Sequence, residues 1–79
     1  MEELIKYIVS SLVDDKEAIS INSVEESAKV TVVTVLVASD DVGKVIGRNG
    51  KVAGSIRTIV KSASMKSGKR YIVKIGERD

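Results

Sequence analysis

Seventy-nine residues with 43% hydrophobic side chains make one small domain, with apolar mass enough for a compact core without staples. The chain has neither cysteine nor histidine, which excludes disulfides and thiolate chemistry and removes the commonest general base and metal ligand. The net charge of +2 hides a division: residues 1–40 carry three lysines against eight acids, a balance of −5, and residues 41–79 carry ten Lys/Arg against three acids, a balance of +7.

Residues 2–13 place Leu4, Ile5, Ile8, Val9 and Leu12 at the spacing of one helical face, with Glu2 and Glu3 in the first turn where they complement the helix dipole. A short strand follows at about Ile19–Glu25, with Ile19 and Ile21 on one face, and Glu26-Ser27-Ala28 reads as a hairpin turn. Lys29–Ala38 is β-branched almost throughout and predicts a strand. Its core face is Thr31, Val33, Val35 and Val37. The opposite face (Val30, Val32, Thr34, Leu36, Ala38) is more apolar than a solvated face requires. Ser39 or Asp40 is expected to cap a short helix over Asp41–Ile46. Lys51–Met65 predicts a longer helix with Val52, Ala53, Ile56, Ile59, Val60 and Ala63 on one side. Gly54 within it costs about 1 kcal/mol relative to alanine and is expected to mark close approach of another backbone. Lys66–Lys69 is a loop around Gly68, and Arg70–Ile75 is a final strand with Tyr71, Val73 and Ile75 inward. No segment reaches the roughly 20 apolar residues of a membrane span, and the N-terminus lacks the pattern of a signal peptide. A soluble, cytoplasmic protein is expected.

The segment Val45-Ile46-Gly47-Arg48-Asn49-Gly50-Lys51-Val52-Ala53 carries the functional information. Two glycines three apart, with a basic residue between them, stand where one amphipathic segment ends and the next begins. A main chain bare at two points can approach a phosphate closely and donate its N–H groups, and the helix starting near Lys51 aims its positive end at the same place. A Walker A loop needs a glycine and a Ser/Thr where Val45 and Val52 stand. A dinucleotide fingerprint needs a first glycine where Val45 stands. Gly47 and Gly50 also suit a tight corner between helices with no ligand, but such a corner gives no reason for Arg48 or its basic flanks. Between Asp41 and Glu77 there are nine basic residues and no acid, which favours a nucleic-acid partner.

Asp41-Val42-Gly43-Lys44-Val45-Ile46-Gly47-Arg48-Asn49-Gly50, running into the helix through Ala53 and Arg57, resembles the heart of the KH RNA-binding domain. The order α-β-β-α-α-β resembles its type II arrangement, and the short length and the Ala-x-x-x-Arg continuation resemble the KhpA/YlqC family of small bacterial KH proteins. The resemblance covers residues 1–79. It implies an α+β fold in which a three-stranded mixed sheet packs on three helices, with the last strand parallel to the long one.

The resemblance also implies a grip on about four single-stranded nucleotides through the Gly-x-x-Gly loop. Gly47 and Gly50 then supply backbone access, Arg48 charge and Asn49 a hydrogen bond. Ile46 and Val45 form an apolar floor under the bases, and Lys44, Lys51 and Arg57 reinforce the phosphate side. The aromatics are only Tyr7 and Tyr71, which argues against base-stacking platforms, and Tyr71 reads as core. No catalytic or metal site and no cofactor is expected, because the paired acids Asp14/Asp15 and Asp40/Asp41 read as helix ends and caps. The functional expectation is single-stranded RNA binding in a post-transcriptional regulator or RNA chaperone. The alternative is a protein-interaction module pairing with itself or with a larger Jag-type KH protein in cell-envelope control, with Ile59, on the edge of the third helix's apolar arc, as the dimerisation residue.

Overall fold

The computed structural model describes residues 1–78. Six elements follow in order: α1 (Glu2–Ser10), β1 (Ser20–Glu25), β2 (Val30–Val37), α2 (Val42–Ile46), α3 (Lys51–Ser64) and β3 (Arg70–Glu77). The sheet order is β1-β2-β3, with β1 antiparallel and β3 parallel to β2. This is the α-β-β-α-α-β arrangement that the type II resemblance implies.

Alternation in β2 decides the architecture. Thr31, Val33, Val35 and Val37 are all buried, and the three valines meet Ile5 and Val9 of α1, Val45 of α2, and Ile56 and Val60 of α3 in one cluster. All three helices therefore lie on the same face of the sheet. Register puts Val24 and Ile72 beside Val32 on the opposite face, where Val24 stays exposed and Ile72 half-buried. The apolar excess noted on that side of β2 is uncovered by any helix.

Several boundaries differ from the sequence expectation. The first helix stops at Ser10 rather than 13, although Leu12 and Val13 still donate N–H bonds to Val9 and Val13 is buried. A short 3-10 turn at Lys16–Ala18 follows. On α3 the buried stripe is Ala53, Ile56, Val60 and Ser64, with Val52 half-buried and Ala63 exposed. The apolar arc is thus turned by about one residue from the one expected. The reason is that the stripe continues through the polar Ser64, whose hydroxyl donates to the Lys61 carbonyl. Gly54 has open space around its Cα, so the expected close approach of a second backbone does not occur. β3 runs two residues further, to Glu77, because Leu36 and Val37 continue to pair with Gly76 and Glu77.

Candidate nucleic-acid interface

The loop between α2 and α3 is a single tight turn over Arg48–Gly50. α2 ends with the Gly47 N–H donating to the Gly43 carbonyl at 2.8 Å, and the turn closes with the Gly50 N–H donating to the Gly47 carbonyl at 3.2 Å. The two glycines serve different needs. Gly47 sits at φ 75°, ψ 172°, a region open essentially to glycine alone, and a Cβ there would lie 2.3 Å from Val52 Cγ2. Gly50 sits at φ 74°, ψ 14° with open space around it. Asn49, at φ 56°, adopts the left-handed conformation that asparagine tolerates better than most residues. Two consecutive left-handed residues, Asn49 and Gly50, after the positive-φ Gly47 bend the main chain tightly, and such turns can gather N–H groups into a concave anion site. The turn's bonds run through Gly50 and Lys51, which leaves the Arg48 and Asn49 N–H groups outside them. α3 begins there with no side-chain cap, so its first N–H groups and its dipole add to the same positive spot.

The structure separates the expected site residues. Arg48, Asn49 and Lys51 are exposed around the turn, with Gly47 and Gly50 half-buried beneath them. Ile46 is 37% exposed and offers an apolar surface beside the loop. Val45 corrects the expected apolar floor: at 0% exposure it belongs to the core and has no area to give a base. Its role is to hold α2 against the sheet so that Ile46 stays outside.

Lys44 is committed elsewhere. Its ammonium pairs with Asp14 and lies 3.2 Å from the carboxylate of Asp41. Asp41 is 2% exposed, and instead of capping α2 it accepts the backbone N–H groups of Asp15 at 3.1 Å and Asp14 at 3.3 Å. The Asp15 N–H bond is the main reason its carboxyl is held below the usual carboxylate range. Burial opposes this, while Asp14's N–H and Lys44 assist. Lys44 is raised in turn, first by Asp14 and then by Asp41. The expected capping by Ser39 or Asp40 also gives way, because Ser39–Asp41 forms a 3-10 turn with no side-chain cap bond. Asp41, Lys44, Asp14 and the Asp15 N–H build a latch that ties the segment after α1 to the start of α2. Sequence reading found the four acids and missed the latch, since Asp14 and Asp41 lie 27 positions apart.

Arg57 reaches from α3 to β3, where Nε and Nη2 each lie 3.4 Å from the Val73 carbonyl oxygen. It stands in a groove of about 350 Å³ between α3 and β3, shared with Lys61, Ser64, Arg70 and Tyr71. Lys61 and Arg70 were not singled out from sequence. The available signal was the i, i+4 spacing of Arg57 and Lys61, which places both on one side of a helix. Tyr71 packs half-buried against the core, as expected, and Tyr7 is 75% exposed on α1. Ile59 is 44% exposed, on α3. Among the described residues no cluster of acids has metal-ligand geometry, and no helix is long and apolar enough to cross a membrane.

Comparison with known proteins agrees with this geometry. The family model for the KhpA/KhpB KH domain matches residues 2–75. Relatives named RNA-binding protein KhpA include one from Oceanobacillus iheyensis, 49% identical over 75 residues that cover 95% of this chain and 99% of the relative. Another, from Caldanaerobacter subterraneus subsp. tengcongensis, is 43% identical with the same coverage. A third, from Clostridium perfringens, is 43% identical over 77 residues, covering 95% of this chain and 99% of the relative. No solved structure gives a significant match. With a Gly-x-x-Gly turn between two helices on a three-stranded mixed sheet, and a family model spanning nearly all of it, the chain belongs to the KhpA/KhpB family of KH-domain proteins.

Proposed function

We propose that the chain binds single-stranded RNA by clamping its backbone on the Gly47–Gly50 turn, with the bases turned toward Ile46 and the groove between α3 and β3. The observation that carries this is the turn itself: three residues of positive φ and an uncapped helix start present N–H groups to an anion, with Arg48 exposed beside them. The relatives' shared name, RNA-binding protein, supports the same reading. A grip built mainly on phosphate contacts is weak and tolerant of sequence, which suits an RNA chaperone or post-transcriptional regulator. Replacing Arg48 and Asn49 together by Asp sets two negative charges against phosphate and keeps both glycines; Asp also tolerates the left-handed site at 49. Affinity for a short RNA measured by fluorescence anisotropy falls by about 100-fold or more, from two charge-assisted contacts of roughly 1.5–3 kcal/mol each. The melting midpoint moves by less than about 4 °C, as for exposed substitutions. Parent-like binding by the double variant ends the proposal.

A second reading, compatible with the first, is self-association through α3 or pairing with a larger KH protein of the same family. Ile59, apolar and half out in solvent, favours it. A two-fold pairing through that residue brings two loops onto one assembly and raises avidity. Ile59→Asp then yields a folded monomer from a dimeric parent by light scattering. A parent that is monomeric at tens of micromolar removes this reading.

A further inference from the structure

The groove between α3 and β3 does not end at the sheet edge. Its wall includes Arg70 and Ile72, which alternate with the core-facing Tyr71 and Val73 and therefore lie on the outer face of the sheet, away from the helices. Register aligns that face in rows: Ser20, Leu36 and Gly76; Asn22, Thr34 and Lys74; Val24, Val32 and Ile72; Val30 and Arg70. Among these eleven strand residues there are two cations and no carboxylate. Glu25 and Glu77 lie on the other alternation, opposite Thr31 and Val37. Lys74 and Arg70 are exposed, and neither is among the observed ion pairs, which involve Lys44 and Lys69. Four residues of strand place their Cα atoms about 13 Å apart.

We propose that an RNA strand too long for the loop and groove crosses the β3 edge and lays its next phosphates over the outer sheet face, at Arg70 and Lys74. This rests on the RNA-binding reading above and extends its footprint. Continuity carries the path, because one groove wall already belongs to both faces. Charge sign carries the ligand: the rim is cationic without a compensating acid, and the polar row Asn22, Thr34 and Lys74 supplies hydrogen-bonding groups beside it. Val24, exposed, and Ile72, half-buried, flank the buried Val32 and offer aliphatic rather than aromatic contact, so the surface adds affinity with little base preference.

The test compares a 5-nucleotide with a 12-nucleotide oligouridylate, for the parent, Lys74→Glu, Lys74→Arg and Lys6→Glu. Lys6 is an exposed residue of α1, beside the β1 edge, and its reversal makes the same change in net charge. The parent binds the 12-mer more tightly than the number of extra binding registers explains. Lys74→Glu loses at least about fivefold on the 12-mer and leaves the 5-mer unchanged, while Lys74→Arg restores the parent value. The 12-mer's log K against log salt slope becomes shallower by about 0.7 in Lys74→Glu, the equivalent of one single-strand phosphate contact. Equal losses in Lys6→Glu and Lys74→Glu mean only long-range charge and overturn the proposal. So does a 12-mer affinity that ignores Lys74, which leaves the outer face to a protein partner. Failure of the 5-mer to bind the parent instead refutes the loop reading, so the two failures are distinguishable.

Discussion

A helix flanks each edge strand of the sheet, α1 beside β1 and α3 beside β3, and each pair encloses a groove: about 250 Å³ at β1 and about 350 Å³ at β3. The β1 groove is lined by Glu2, Glu3, Lys6, Ile19 and Ile21, and the β3 groove by Arg57, Lys61, Arg70 and their neighbours. The two differ less in shape than in sign. Folding turns the division between the acidic and basic halves of the sequence into a division between opposite edges, because β1 and β3 are the outer strands. A concave site between helix and edge strand is thus a product of the fold, while the ligand it suits is chosen by the side chains on its rim. The basic edge also has the Gly-x-x-Gly turn at the start of its helix.

Placing two acids in that turn, at positions 48 and 49, has the largest effect on binding, since it makes the basic edge resemble the acidic one. Next in size is a pair of glycine replacements that separates what the turn does for the fold from what it does for a ligand. Gly47→Ala places a Cβ against Val52 in a backbone region that costs a non-glycine residue about 1–3 kcal/mol, and the overlap adds about as much again. A loss near 3 kcal/mol lowers the melting midpoint by about 12–24 °C for a domain of this size. Gly50→Ala meets no atom and carries only the left-handed penalty of about 1–2 kcal/mol, so its midpoint falls by about 4–16 °C. Thermal melts of the two variants check this. Equal losses mean that Val52 moves aside and Gly47 has no special structural role.

The elements and the loop were legible because each rests on a local pattern. The β-branched alternation of residues 30–37 sets one buried face whatever packs on it, and glycines at 47 and 50 mark the turn. The parts that were not legible depend on distant contacts. Val45 looks like its neighbour Ile46 in sequence, and only the direction of a five-residue helix decides which of them is buried. Lys44 looks free until Asp14 is brought beside it from 30 residues away. Ser64 is polar and buried because the helix stripe passes through it, a fact that hydrophobic pattern alone assigns to Ala63 instead.

Neutralising the acidic edge has a smaller effect than any change at the basic one. If the acidic edge merely lies opposite the basic one, Glu2 and Glu3 repel RNA only through the solvent. That repulsion is screened over about 8 Å at 0.15 M salt and over about 30 Å at 0.01 M. The domain measures 34 × 23 × 19 Å, so the low-salt field spans most of it and the physiological one does not. Glu2→Gln with Glu3→Gln removes two charges from exposed positions in the first turn of α1. The variant binds a short RNA about twofold more tightly at 10 mM salt and no more tightly than the parent at 150 mM, a difference that anisotropy titrations at the two salt concentrations resolve. A gain that persists at 150 mM means that the RNA passes within a Debye length of α1. In that case the two edges are not separate sites, and the acidic groove contributes to recognition by excluding the strand from the wrong side of the sheet.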